Sequence, residues 1–96
     1  MNFGQAIEAL KQGKLVYRDG WNGSGMFIMK QIPAEISLDI IPKMQSVQQS
    51  ANDVLINRDT TLKYCNQMLI IKKDGTADSW VASSSDTFAE DWNILN

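Results

Sequence analysis

The first twelve residues carry apolar side chains at helical spacing. They recur at i, i+3, i+4 and i+7, namely Phe3, Ala6, Ile7 and Leu10. This periodicity places them on one face of a helix. Asn2 is suited to cap the start of the helix, and Gly13 is suited to follow its end. The pattern predicts an amphipathic helix over about residues 3–12 that packs on a sheet.

Alternation and short apolar runs predict strands along the rest of the chain. Residues 14–18 alternate, and the apolar run 26–29 is of strand length and is ended by Pro33. The pair Asp74-Gly75 is a strong hairpin signal between two further runs. The predicted strands are 14–18, 26–29, 37–41, 62–72, 77–82 and 92–95.

Two further helical segments complete the predicted fold. Ala51, Val54 and Leu55 have helical spacing and predict a short helix at about 47–57, in a segment typical of an insertion between strands. Asp86 with the residues after it suits a single helical turn, although Ser85 and Phe88 form no capping box. The chain is therefore predicted to be one α+β domain over residues 1–96. It has a small antiparallel sheet, an N-terminal helix packed on it and a short helical insertion.

Composition restricts the classes of protein that fit. The chain has 96 residues, 44% hydrophobic and 21% charged, which is typical of a globular domain with a thin core. No apolar run approaches the roughly 20 residues of a membrane span, and the N-terminus lacks the order of a secretory signal. We expect a cytoplasmic protein that does not associate with a membrane.

The side chains available argue for binding over catalysis. The chain contains no histidine and one cysteine, so it lacks the commonest general base and any multi-cysteine metal site. We therefore expect no catalytic residues, no metal and no cofactor. The alternative is catalysis by an acid/base pair of Asp86 and Glu90, which lie four residues apart. We favour the interpretation that both are solvated surface charges.

The charges are unevenly distributed. Residues 74–96 contain five acidic side chains and no basic one, whereas residues 1–73 contain nine basic and six acidic ones. This balance argues against binding to a nucleic acid polymer, which needs a basic face. An anionic small ligand would have to be held by local donors.

The segment Gly20–Gly25 is the most informative feature, with three glycines among six residues. Glycine admits positive φ, and successive N–H groups in such a turn form an anion-binding concavity. Trp21 offers a face for a base, and Arg18 a bidentate partner for a phosphate. The candidate ligand residues here are Arg18, Trp21, Asn22, Gly23 and Ser24. From the residues alone, a tight strand connection with Trp21 in the core is favoured, because the spacing matches no known phosphate motif.

Other candidates lie towards the C-terminus. Trp80, in the predicted hairpin, is a candidate for ligand contact, whereas Trp92 is expected to be a core or interface anchor. Ser84 beside Asp86 suits hydrogen bonding to ribose or an amide, with capping of the helical turn as an equal alternative. Cys65 is expected to be a small buried hydrophobe in a strand.

Two blocks of sequence resemble a small phage and prophage family. The first comprises Met1-Asn2-Phe3-Gly4, Ala6, Glu8, Ala9, Leu10, Gly13 and residues 18–27. The second comprises Asp74-Gly75, Trp80, Ser83, Asp86 and Ala89-Glu90-Asp91-Trp92. The combination of an Arg-x-Gly-Trp-Asn-Gly loop with a terminal Ala-Glu-Asp-Trp is specific, and it resembles Thoeris anti-defence family 2.

The resemblance implies a sponge. Members of that family bind the cyclic ADP-ribose-type signal made by the bacterial TIR enzyme of the Thoeris system, without degrading it, in pockets between subunits of a homotetramer. Some relatives also take up cyclic dinucleotides at separate sites. On this interpretation, Trp21 stacks on the base and Arg18 with the loop amides binds the phosphates. Ser84 and Asp86 meet the ribose hydroxyls, and the protein acts in the host cytoplasm.

Rival functions remain open at this point. The acidic segment 74–96 could dock on a basic surface of a host enzyme, which would make the protein a protein-binding inhibitor. A sponge for cyclic dinucleotides is another alternative. A nucleotide-cleaving enzyme using Asp86 and Glu90 is a third.

Overall fold

The computed structural model describes residues 1–95, which contain three α-helices and seven β-strands. The helices are α1 (Phe3–Lys11), α2 (Gln49–Asn57) and α3 (Ser84–Phe88). The strands are β1 (Leu15–Arg18), β2 (Phe27–Gln31), β3 (Ala34–Ile36), β4 (Leu62–Tyr64), β5 (Gln67–Ile71), β6 (Ala77–Ser79) and β7 (Trp92–Leu95). In the described part of the chain, no helix is long and apolar enough to cross a bilayer.

The chain forms two compact units. Met1–Gln31 and the segment from Asn66 onward make the sheet unit, and Ile32–Cys65 make the inserted unit. The sheet unit contains five antiparallel strands in the order β6-β5-β2-β1-β7. The residues of the inserted unit follow β2 and precede β5 in the sequence, and these two strands pair with each other in the sheet unit. The α+β fold, with its antiparallel sheet, N-terminal helix and helical insertion, is confirmed.

Helix α1 begins where the sequence predicts. The Asn2 side chain accepts a hydrogen bond from the Gln5 backbone N–H at 2.8 Å, and the Gln5 side chain accepts one from the Asn2 N–H at 2.9 Å. This reciprocal pair satisfies two of the amide groups left free at a helix start. Gly13 follows the helix with a φ of +85°, as expected for a residue just beyond the C-terminal cap.

The core of the sheet unit lies between α1 and one face of the sheet. Its buried residues come from both elements: Ala6, Ala9, Leu10, Val16, Ile28 and Trp92. The Trp92 side chain is fully buried, packs on the Phe3 ring at 5.6 Å and donates from Nε1 to the Asp86 carbonyl at 3.0 Å. A buried indole whose N–H is satisfied contributes its full apolar area, so Trp92 is the core anchor that the sequence predicts.

The inserted unit contains a two-stranded sheet and α2. Strand β3 pairs with β4 in antiparallel register, Glu35 opposite Lys63. Between β3 and α2, a single 3₁₀ turn at Ile41–Lys43 buries Ile41. Helix α2 matches the predicted helix 47–57 except for its first two residues.

The predicted strand at 37–41 is wrong. The strand in this region is β3, which lies earlier, and the Ser37 carbonyl accepts from the N–H groups of both Ile40 and Ile41. These bonds close a turn, and Pro42, which cannot donate to a ladder, occupies the 3₁₀ turn that follows. Local turn formation has therefore replaced the extended conformation.

The predicted strand 62–72 is two strands in different sheets. Strand β4 ends at Tyr64 and β5 begins at Gln67, so Cys65 and Asn66 connect the two units. Cys65 is consequently exposed, and the expectation that it is a buried strand residue is wrong. Apolar runs on both sides of a short break give the same pattern as one long strand, which explains the error.

Helix α3 begins two residues earlier than predicted. Its N-cap is Ser83, whose Oγ accepts from the Asp86 N–H at 3.1 Å, while Asp86 Oδ2 accepts from the Ser83 N–H at 3.1 Å. The helix does have a capping box, at Ser83 and Asp86 rather than Ser85 and Phe88. Aspartate replaces the glutamate or glutamine usual at the third helical position.

Candidate ligand-binding cleft

The glycine loop adopts a tight conformation that its sequence requires. After β1, Asp19–Trp21 makes one 3₁₀ turn, and the backbone then enters the left-handed region at Asn22 with a φ of 54°. Gly23 and Gly25 also have positive φ values of 68° and 80°. Glycine and asparagine are the residues that tolerate this region best, so the composition of the loop follows from its path.

Two main-chain donors of the loop have no partner in the described chain. The N–H groups of Asn22 and Ser24 donate to carbonyls of the turn, at 3.0 and 3.2 Å. Those of Gly23 and Gly25 donate no hydrogen bond within residues 1–95. The loop therefore keeps two N–H groups for an acceptor such as a phosphate oxygen.

A cleft of about 200 Å³ lies along the loop. Its lining residues come from β1, from the loop and the residue after it, and from β7: Tyr17, Arg18, Trp21, Gly23, Ser24, Gly25, Met26 and Leu95. The lining therefore combines aromatic and apolar surface with a few polar groups, the usual chemistry of a small-molecule site. Sites for complete ligands of nucleotide size have volumes of roughly 300–1,000 Å³, so this cleft fits only part of such a ligand.

Trp21 forms one wall of the cleft and also contacts the core. Its ring centroid lies 5.5 Å from that of Trp92, with the planes at 80°. The indole is half-buried and packs against the core cluster. Core packing therefore fixes the orientation of a ring that lines the cleft, and stacking of Trp21 on a base stays a prediction.

Arg18 lines the cleft with its charge already paired. Its Nε donates to Asp91 Oδ1 at 2.9 Å and its Nη1 donates to Asp86 Oδ1 at 2.8 Å. These contacts, Asp91 first and Asp86 second, raise the pKa of the guanidinium further above its ordinary value. One cation facing two carboxylates leaves the group with an excess of negative charge, so it does not attract a phosphate as a free arginine would.

Both carboxylates are held in the charged form. For Asp91, hydrogen bonds from the Arg18 side chain and the Gly20 N–H place the pKa below its usual value. For Asp86, partial burial opposes ionisation, but the hydrogen bonds from Arg18 and Ser83 outweigh it and lower the pKa. The Gly20 N–H lies 2.8 Å from Asp91 Oδ2, and a Cβ on Gly20 would lie 2.9 Å from the same oxygen. A side chain at residue 20 would therefore displace this carboxylate.

Comparison with known proteins identifies the family. A family model described as a Thoeris anti-defense 2-like domain matches residues 1–95. The chain belongs to the Thoeris anti-defense 2-like family. Thoeris anti-defense 2 of Bacillus phage SP01 is 34% identical over 96 residues, which is 100% of this chain and 96% of that relative. The resemblance drawn from the two sequence blocks is confirmed, and membership supports a phage anti-Thoeris role.

In this Thoeris anti-defense 2-like domain, the predicted site residues separate into three groups. Those lining the cleft are Arg18, Trp21, Gly23 and Ser24. Asn22 is exposed within the loop, and Asp86 reaches the cleft only through Arg18. Trp80 and Ser84 do not line it: Trp80 packs on the rings of the core, and Ser84 is exposed at the start of α3.

Sequence reasoning missed several residues that shape the cleft of this Thoeris anti-defense 2-like domain. Tyr17, Met26 and Leu95 line it, and Asp91 holds Arg18 and the Gly20 amide. The signal for Asp91 was its place directly before Trp92, because β7 pairs with β1 and sets Trp92 opposite Arg18. Within residues 1–95, no three histidine, cysteine, aspartate or glutamate side chains are grouped so as to hold a metal ion.

Proposed function

We propose that this protein is a sponge for a cyclic nucleotide immune signal of the glycocyclic ADP-ribose type. It binds the signal without cleaving it and thereby prevents activation of the Thoeris effector. The observation that carries this proposal is the cleft at Gly20–Gly25, where a fixed indole ring and two unused main-chain N–H groups lie together. Membership of the family provides the biological context.

The groups in the cleft match the parts of such a ligand. The half-buried Trp21 ring stacks on the base, an interaction that any nucleobase can make through its π-face. The N–H groups of Gly23 and Gly25 bind oxygens of the pyrophosphate. The Ser24 hydroxyl hydrogen bonds to a ribose. Asp86 and Asp91 contribute by holding Arg18 and the loop in place.

The volume of the cleft supports a site shared between subunits. About 200 Å³ encloses a base or a pyrophosphate but not a whole cyclic ADP-ribose. A second copy of the chain, in the homotetramer that we propose, supplies the remaining wall. Closing the ligand between two subunits also slows its release, which a sponge requires.

The state of Asp86 supports binding without cleavage. An acid catalyst needs a carboxyl group that holds a proton near neutral pH. The pKa of Asp86 is lowered by Arg18 and Ser83, and its two oxygens are engaged by those residues. The rival interpretation of Asp86 and Glu90 as an acid/base pair therefore finds no support in this geometry.

Titration calorimetry with glycocyclic ADP-ribose isomers tests the proposal. The wild-type protein should bind one isomer, and Trp21→Ala should weaken that binding by about 2 kcal/mol or more, as expected for a central aromatic anchor. Phe88→Ala is the matched control, because Phe88 is 84% exposed and does not line the cleft. Absence of binding by any isomer would overturn the proposal, and unchanged affinity in Trp21→Ala would remove Trp21 from the site.

A further inference from the structure

Lys73 packs its side chain along the glycine loop. A Cβ placed on Gly25 would lie 3.0 Å from Lys73 Cβ, 3.1 Å from its Cγ and 3.2 Å from its Cδ. Real Cβ atoms are seldom this close to a neighbour, so the lysine stem occupies the space that a side chain at residue 25 would need. Three consecutive carbons so close to that position mean that the stem runs alongside Gly25, one of the residues lining the cleft.

The charge of Lys73 is not neutralised. Its ammonium lies two bonds beyond Cδ, the residue is exposed, and no ion pair to it occurs within residues 1–95. The preceding Lys72 differs, since its Nζ lies 3.3 Å from Asp78 Oδ2. Arg18, at the cleft itself, faces two carboxylates. The positive charge of Lys73 is therefore available to an anion bound at the loop.

The backbone of Lys73 is held by a well-formed turn. The Lys72 N–H donates to the Thr76 carbonyl at 2.9 Å, and the Gly75 N–H donates to the Lys72 carbonyl at 2.8 Å. The Asp74 side chain accepts from the Thr76 N–H at 2.9 Å. This Asx turn fixes the base of the Lys73 side chain beside the glycine loop.

We propose that Lys73 is a ligand-binding residue whose ammonium pairs with a phosphate of the nucleotide held at Gly20–Gly25. The inference rests on the function proposed above and assigns the phosphate contact to Lys73 in place of Arg18. A lysine ammonium is a compact point charge on a flexible stem, suited to a pyrophosphate whose oxygens the loop amides also bind. Gly25 has a second role here, because its lack of a side chain lets the lysine stem lie against the loop.

The test compares two neighbouring lysines by calorimetry at several salt concentrations. Lys73→Gln should bind the glycocyclic ADP-ribose isomer about tenfold or more weakly, the loss expected for one charge-assisted hydrogen bond, with a shallower dependence on salt. Lys72→Gln removes the same charge one residue away and should stay near wild type in both respects. Lys73→Arg should keep most of the affinity. Because both lysines are exposed, we expect the three variants to keep the melting temperature of the wild type. Unchanged melting temperatures then exclude unfolding as the cause of any loss of affinity.

The outcomes separate this inference from the proposed function. If the wild-type protein binds and Lys73→Gln matches Lys72→Gln, the assignment of Lys73 is overturned and the sponge proposal stands. If the wild-type protein binds no isomer, the proposed function fails and the inference fails with it. A selective loss in Lys73→Gln, with a reduced salt dependence, supports both.

Discussion

Arg18 and Asp91 form an ion pair of 2.9 Å between residues 73 positions apart in the chain. The second oxygen of Asp91 accepts from the Gly20 N–H at 2.8 Å, and the Asp91 carbonyl accepts from the Asp19 N–H at 3.0 Å. The segment before β7 thus holds the end of β1 and the start of the glycine loop together. The two sequence blocks that mark the family therefore meet in one structural unit.

Replacing Asp91 tests whether this contact stabilises the fold. Asp91→Asn keeps the shape but removes the charge, and its amide group would face a donor on either Arg18 or Gly20. We expect a lower melting temperature in thermal unfolding. Asp78→Asn is the control, because it removes a carboxylate from the exposed Lys72 pair, which is expected to contribute little. Equal melting temperatures for the two variants would show that the Arg18–Asp91 contact stabilises the fold no more than the exposed Lys72–Asp78 pair does.

Acid should weaken the same network. The folded-state pKa values of Asp86 and Asp91 lie below their ordinary values. Their contribution to stability is therefore complete above the unfolded-state pKa of about 3.9 and is lost as the pH falls through the folded-state values. Urea unfolding should be measured from about pH 6 to about pH 2, which spans the titration of aspartate. The free energy of unfolding should fall below about pH 4. Asp91→Asn should show a smaller fall, and an identical acid profile would contradict this explanation.

Trp92 should dominate the stability of the sheet unit. Its side chain is fully buried and satisfied by the Asp86 carbonyl, so Trp92→Ala should lower the free energy of unfolding by about 3–5 kcal/mol. Phe88→Ala removes an aromatic ring that is 84% exposed and should change it by less than about 0.5 kcal/mol. Urea denaturation measures both. Similar losses in the two variants would mean that the core is not centred on Trp92.

The parts of the fold that local signals specify were predicted from the sequence. Helix α1 follows from its apolar spacing and the Asn2 cap, and the β5–β6 hairpin follows from Asp74-Gly75. The glycine loop was identified because backbone positions with positive φ favour glycine and asparagine. Trp92 was identified as a core residue because a large aromatic side chain in a thin domain tends to be buried. Each of these depends on residues close together in the chain.

The remaining features depend on contacts between residues that are far apart in the sequence. The division of 62–72 into two strands depends on which partner each half pairs with, and the alternation is the same in either case. The pairing of Arg18 with Asp91 requires the register of β1 against β7. The packing of Lys73 on Gly25 requires the β5–β6 hairpin to lie beside the loop. For this reason, Arg18 was predicted to be the residue that binds phosphate, because it is the basic residue nearest to the glycine loop in the sequence.

The most direct test of the sponge is recovery of the bound ligand. The protein is incubated with a substoichiometric amount of the glycocyclic ADP-ribose isomer that it binds and is passed through a filter that retains protein. The retained fraction is then heated and chromatographed. We expect nearly all of the ligand to be retained with the protein and to be released by heat as the unchanged parent compound. Ligand that passes freely through the filter, or is recovered as a cleaved product, would contradict it.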